Sequence, residues 1–277
     1  MKNEQINIPA QENSSFKTNS AKTGARSGKI NILGIKIDNI TGTETLNRIG
    51  SFLNSANSHY IVTANPEIAV LAHKDREFQN IVNNADLIVP DGIGLIFASK
   101  IIFPRERLGE RIRGIDLIYR IAKNFDNPAQ KIRIFFLGAR GEGAKLTAEK
   151  IKKNFPNIEI AGFFGGDASE EGDRIAVSII DQSKPNILFI AYGAPLQEKW
   201  IARNLKKLPT VKLAIGVGGA FDMINGKITR APRWMRNAGL EWFWRLIKEP
   251  RRIGRIYNAT IKFTWLVLTN KSKKDKM

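Results

Sequence analysis

The chain has no cysteine and only two histidines, His59 and His73. Lack of cysteine excludes disulfides, thiolate metal sites and a cysteine nucleophile, and is compatible with a reducing cytoplasm. His73 reads as a packing or surface residue within a helix, and His59 merely precedes a strand. No Asp-x-Asp pair occurs, so the carboxylate spacing that commonly holds a divalent ion beside a nucleotide diphosphate is missing. No metal or other cofactor is expected. The serine nucleophile elbow, the Walker loop and a complete G-x-G-x-x-G fingerprint are absent too. Tight NAD binding, and with it an epimerase or dehydrogenase reading, is therefore disfavoured. No apolar run reaches the roughly 18 to 20 residues of a spanning helix. Residues 1–28 are polar, lack the apolar core of a signal peptide, and read as a disordered leader outside the fold.

What is present is positive charge, unevenly spread. The 277 residues carry a net charge of +18, which points to a polyanionic partner: nucleic acid, anionic lipid or a phosphorylated substrate. Residues 227–277 hold 14 Lys and Arg against three acidic residues, so +11 of the total lies in this tail. Four of the five tryptophans (Trp234, Trp242, Trp244, Trp265) lie there, interleaved with arginines. Pro250 divides the tail into two helices, the second with Ile253, Ile256, Tyr257, Ile261, Thr264 and Leu268 on one face. A basic amphipathic helix with Trp and Tyr fits an anionic membrane surface. Binding of nucleic acid by the same residues, and a homo-oligomer interface, are the competing readings. As a separate electrostatic device, the tail should be removable near Gly226 without unfolding the rest.

Residues 29–226 read as the body. Strand-like runs at 29–37, 60–64, 87–89, 132–137, 158–163, 186–191 and 212–217 alternate with helix-period stretches at 43–54, 67–83, 114–124, 143–154, 170–182 and 196–206. This alternation predicts an α/β fold with a doubly wound, mostly parallel sheet. The first run has an alternative, a small hairpin turning at Gly34.

In such sheets ligands collect outside the carboxyl ends of the strands. Three polar residues fall there: Thr63 and Asn65 after one strand, and Asp91 in Val-Pro-Asp-Gly-Ile-Gly after the next. A carboxylate there can take a proton from a hydroxyl nucleophile, and its neighbours can hold a polar substrate; the bland reading has Asp91 capping the helix near Ile93. Two strand-to-glycine turns follow, one with Gly138 and Gly141, the other with Gly218 and Gly219 ahead of Asp222. Amides at such turns bind phosphate oxygens, although either turn alone is also an ordinary tight connection. Tyr192, Gly193 and Gln197 follow a further strand, Gln197 in the first turn of a helix. Arg111 and Arg113 precede another helix, placed to neutralise a diphosphate or to be solvated.

Taken in order, Thr63-Ala-Asn-Pro-Glu, Val89-Pro-Asp-Gly-Ile-Gly, Glu110-Arg-Ile-Arg-Gly-Ile-Asp, Phe136-Leu-Gly, Tyr192-Gly-Ala-Pro-Leu-Gln-Glu-Lys-Trp, Gly216-Val-Gly-Gly-Ala-Phe-Asp and Arg230-Ala-Pro-Arg-Trp resemble the WecG/TagA/CpsF glycosyltransferases, glycosyltransferase family 26. Seven short motifs in register, from about residue 29 to 257, make the resemblance specific.

It implies a Rossmann-like body with a C-terminal helical appendage associating with the membrane. The activity implied is inverting transfer of N-acetylmannosamine from a UDP-sugar donor to undecaprenyl-diphosphate-linked N-acetylglucosamine, as in assembly of a wall teichoic acid linkage unit. Donors carrying the uronic acid or a glucose-type sugar stay open. Asp91 corresponds to the family's catalytic base. Thr63, Asn65, Arg111 (or Arg113) and Gln197 correspond to substrate-contacting positions, with appendage arginines to be sought among Arg230, Arg233 and Arg236. Gly138, Gly141, Tyr192, Gly193, Gly218, Gly219 and Asp222 are the expected nucleotide-binding set. The enzyme is expected in the cytoplasm, peripherally attached to the inner face of the cell membrane.

Overall fold

The computed structural model describes residues 28–232, 234–235 and 238–274. The chain opens with a hairpin of β1 (Lys29–Ile32) and β2 (Ile35–Asp38), paired antiparallel with Lys29 opposite Asp38. Leu33 and Gly34 both have positive φ, the twist a two-residue hairpin turn requires. The run expected as one strand is therefore a hairpin, and it stays out of the main sheet. Asp38 ties it down by accepting a hydrogen bond from the Ile88 amide at 2.8 Å, beside the edge of that sheet.

The sheet has six strands: β3 (His59–Ala64), β4 (Leu87–Pro90), β5 (Arg133–Gly138), β6 (Glu159–Phe164), β7 (Ile187–Ala191) and β8 (Leu213–Gly216). All pair in parallel, in the order β4-β3-β8-β7-β5-β6. β4 and β8 are buried along their whole length, as expected of strands covered on both faces. One face packs α1 (Gly42–Leu53), α5 (Gly114–Asn124), α6 (Gly143–Asn154) and α9 (Ala220–Ile224) around Ile118, Phe136 and Phe221. The other carries α2 (Pro66–Lys74), α3 (Arg76–Asn83), α4 (Ile93–Ile102), α7 (Glu170–Ser183) and α8 (Leu196–Asn204). The segment expected as one helix over 67–83 is broken at Asp75, whose carboxylate caps α3 by accepting from the Phe78 amide at 3.0 Å. Competition of a side-chain oxygen with the backbone ladder ends one helix and starts the next.

After α9 come α10 (Glu241–Lys248), α11 (Ile253–Tyr257), a π-helical turn (Asn258–Lys262) and α12 (Phe263–Lys274). Phe263, Leu266 and Val267 are buried in the same cluster as Ile68 of α2 and Leu95 of α4. At about 1.5–3 kcal/mol per buried side chain, an upper estimate, these contacts anchor the segment to the body. Cutting the chain near Gly226 would expose the face of α2 and α4 that these side chains cover. The face expected from the sequence lies largely outward: Ile253, Tyr257, Ile261 and Leu268 are exposed, and Trp265 with them. Among the described residues no helix is long and apolar enough to cross a membrane.

Candidate active site

Four adjacent strands, β4, β3, β8 and β7, direct their carboxyl ends at one cavity of about 600 Å³. Thr63, Asn65, Asp91, Arg111, Gln197, Gly218 and Gly219 line it from the body. The opposite wall is the C-terminal segment, with Glu241, Trp242, Arg245, Arg252, Arg255 and the apolar residues Phe263 and Val267.

Asp91 follows β4 directly, its amide bonded to the Ala64 carbonyl at 2.7 Å. Gly92, not Asp91, is the cap residue of α4, and no side chain caps that helix. The Asp91 carboxylate instead accepts from the Gly114 amide at 3.1 Å, at the start of α5. Burial pushes its pKa up to about 6, against the pull of Arg111, the Gly114 amide and Arg113, with Glu241 adding to the rise. The side chain keeps 24% of its surface accessible, so it can meet a ligand in the cavity. A carboxyl in this state is deprotonated at neutral pH yet a stronger base than a solvated aspartate.

Arg111 is placed by the Ile112 amide, which bonds the Pro90 carbonyl at 2.8 Å. Its Nε donates to the backbone carbonyl of Asp91, while its Nη2 lies 3.8 Å from Asp91 Oδ1 and 3.3 Å from Glu241 Oε2. Arg113 pairs with Asp116 at 2.5 Å, and Arg230 pairs with the same carboxylate at 2.7 Å. Arg230 is thus spent on Asp116. Arg233 and Arg236 lie outside the described residues.

Thr63 and Asn65 are brought to the cavity as expected, each with one bond already made. The Thr63 hydroxyl donates to the Gly216 carbonyl at 2.7 Å, leaving it an acceptor towards a ligand. Asn65 caps α2 through its Oδ1, which accepts from the Ile68 amide at 3.0 Å; its amide NH2 remains to donate. Gln197 also lines the cavity, but its bonds are internal. Its Oε1 accepts from the amides of Gly193 at 3.1 Å and Gly218 at 3.0 Å, and its Nε2 donates to Glu198 at 2.8 Å. Gln197 therefore braces the turns after β7 and β8. Glu198, fully buried behind it, is pushed up to about 7 by burial.

The expected nucleotide set divides. Gly218 and Gly219 line the cavity, and a side chain at Gly219 would displace the Arg245 guanidinium, its Cβ falling 2.7 Å from Nη2. Gly193 borders it under Arg255. Gly138 ends β5, beyond β7, Gly141 lies in the turn that follows, and neither lines the cavity. Gly138 has φ of 100° and a Cβ there would stand 2.9 Å from the Ala191 backbone, so strand packing alone requires glycine. Tyr192 packs against Gly138, its hydroxyl buried without a partner among the described residues. Asp222, on α9 between the two glycine turns, likewise has a buried Oδ1 with no partner there.

Three arginines from the C-terminal segment were not singled out from the sequence. Arg245 and Arg252 share Glu249, at 3.2 and 3.0 Å, and Arg255 is held by Glu67 at 2.6 Å. Burial, then the proximity of Arg245 and Arg255, holds the Arg252 pKa below its usual value. The spacing Arg252–Arg255, one helical turn, was the available signal. No group of three or more His, Asp or Glu that could hold a metal occurs among the described residues.

Known proteins share this chain's pattern. The model of the glycosyl transferase WecG/TagA/CpsF family matches residues 30–277. An N-acetylglucosaminyldiphosphoundecaprenol N-acetyl-beta-D-mannosaminyltransferase of Bacillus subtilis (strain 168) is 35% identical over 247 residues, 84% of this chain and 93% of that protein. The protein of the same name from Bacillus spizizenii is 37% identical over 209 residues (74% and 77%), and that of Staphylococcus aureus (strain MRSA252) is 33% identical over 239 residues (86% and 91%).

Proposed function

The chain belongs to the WecG/TagA/CpsF glycosyl transferase family, and we propose that it transfers an N-acetyl-β-D-mannosaminyl group from a UDP donor to N-acetylglucosaminyl-diphosphoundecaprenol. The observation that carries the mechanism is the Asp91 carboxylate, partly accessible and raised to about 6, on the wall of a cavity shared with cations. Asp91 takes the proton from the acceptor hydroxyl as its oxygen forms the new bond to the donor's anomeric carbon. The bond from that carbon to the UDP oxygen breaks on the opposite face, and its electron pair leaves with the diphosphate. Configuration inverts. Asn65 donates to a sugar oxygen and Thr63 accepts from one. The Gly219 amide and the neighbouring Arg245 take the donor diphosphate, with the nucleoside extending along α9 towards Asp222. Electrostatic stabilisation by such fixed donors is commonly the largest single contribution to rate.

Arg252 and Arg255 hold the acceptor diphosphate. Beyond them the apolar wall formed by α4 and α12, with Phe97, Ile101, Val267 and Leu268, receives the isoprenoid end. The exposed aromatic and aliphatic residues Trp265, Ile261, Ile253 and Tyr257, set among basic residues, dock this side on the anionic inner face of the cell membrane. The basic segment, which taken alone also suits nucleic acid, points three arginines into the cavity. The product enters assembly of a cell-surface polymer such as the wall teichoic acid linkage unit.

The test is transfer from a panel of UDP-sugars to a short-chain N-acetylglucosaminyl-diphosphoryl lipid, with product stereochemistry recorded, for the wild type and Asp91→Asn. N-acetylmannosamine should be the transferred sugar, inverted at the anomeric carbon, and Asp91→Asn should retain UDP binding while losing turnover. Wild-type-like turnover by the variant overturns the base assignment; transfer of a glucose-type sugar alone overturns the donor assignment.

A further inference from the structure

Glu241 opens α10 with only 11% of its side chain accessible, an unusual degree of burial for a carboxylate. Its Oε2 stands 3.3 Å from Arg111 Nη2 and 3.9 Å from Arg113 Nη1, and its Oε1 stands 4.0 Å from Arg230 Nε. Arg111 is therefore shared. Its Nε is fixed on the Asp91 backbone carbonyl, and its Nη2 has two carboxylates in reach, of which it stands nearer Glu241.

We propose that Glu241 is a positioning residue for the transfer: by holding Arg111 and Arg113 it keeps the Asp91 carboxylate out of a closed ion pair and free to accept a proton. The inference rests on Asp91 being the base. At 3.8 Å the Arg111–Asp91 contact is too long for a hydrogen bond. With Glu241 gone, the guanidinium can pivot about its Nε bond and close on Asp91 Oδ1. A carboxylate so paired loses basicity, because the ion pair favours its charged form. The influences on Asp91 oppose one another: burial and Glu241 raise its affinity for a proton, and Arg111, the Gly114 amide and Arg113 lower it. Around Glu241 the facing charges are Arg111, Arg113 and Arg230, the last two also engaged by Asp116.

There is a consequence for assembly of the site. Asp91 and Arg111 belong to the α/β body, Glu241 to the segment that packs on it through Phe263, Leu266 and Val267. The base acquires its full strength only when that segment is seated. A transferase that must not release its activated donor to water gains from such an arrangement.

The test is the pH profile of kcat/KM for the full-length protein, with UDP-N-acetylmannosamine and the short-chain lipid acceptor. Glu241→Gln should move the acid limb to lower pH and lower the plateau rate roughly three- to tenfold, as expected for a weaker base. Donor KM should stay within about twofold, since uniform binding is untouched. Glu241→Asp keeps the charge at shorter reach and should fall between the two, which also serves if the glutamine variant folds poorly. A rate loss with an unmoved acid limb, or a loss carried by donor KM alone, overturns the inference. If Asp91→Asn itself retains turnover, the base assignment fails instead, a separate outcome.

Discussion

Two arginine clusters flank the cavity, and they differ in how their charge is met. Around Asp91, three guanidiniums (Arg111, Arg113, Arg230) face three carboxylates (Asp91, Asp116, Glu241), and the balance is even. On the C-terminal wall, Arg245, Arg252 and Arg255 have two carboxylate partners, Glu249 and Glu67. Glu198 lies behind them, but burial pushes it up to about 7, so it supplies only part of a charge at neutral pH. A balanced cluster can set the proton affinity of one member finely without needing a ligand. A cluster with more cations than carboxylates carries a net charge that an arriving anion neutralises. The first arrangement suits a base and the second suits a diphosphate.

Removing the proton acceptor from the balanced cluster should have the largest effect. Asp91→Asn is expected to lower kcat by about 10² to 10⁴ while both KM values stay near wild type, as steady-state transfer assays would show. Arg252→Ala strikes the other cluster and should act differently, raising acceptor KM by roughly 10- to 100-fold, the loss of one charge-assisted contact worth about 1.5–3 kcal/mol. A fall in kcat with unchanged acceptor KM would erase the distinction between the clusters. Gln197→Leu leaves the amides of Gly193 and Gly218 without their shared acceptor. It should cost about 1–3 kcal/mol in urea unfolding; full stability with lost activity would make Gln197 a ligand contact instead. Smallest is Trp265→Ala, expected to weaken binding to anionic vesicles a few-fold and to leave transfer to a short-chain acceptor unchanged. Equal loss with both acceptors would move Trp265 from the membrane side into the site.

Much of this was legible in the chain itself. Strand-to-turn patterns located Asp91, Thr63 and Asn65 because parallel strands put their carboxyl ends on one side, whatever the strand order. The order was not legible, and it matters: β7 stands between β8 and β5, which sets Gly138 and Gly141 apart from Gly218 and Gly219. Local patterning shows that a glycine turn exists, and tertiary arrangement decides which turns share a cavity. The break at Asp75 was hidden because the apolar spacing runs on across it, while one side-chain cap interrupts the ladder. Glu241 was invisible for a different reason. Its meaning lies in Arg111, 130 residues away in the chain. The C-terminal arginines were visible as a basic, tryptophan-rich run, but composition alone does not distinguish cations aimed at lipid from cations aimed into a cleft.

The central claim is that Asp91, raised to about 6, is the group that accepts the proton. A base works deprotonated, so activity should be lost as pH falls through its pKa, near 6 rather than near the roughly 4 of a solvated aspartate. The direct measurement is kcat/KM for transfer from pH 4.5 to 8 in the wild type and in Asp91→Asn. The wild type should lose activity below about pH 6 with a slope of one proton, and the residual rate of the variant should be flat across that range. An inflection near 6 that persists in Asp91→Asn would contradict the assignment and place the proton on another group.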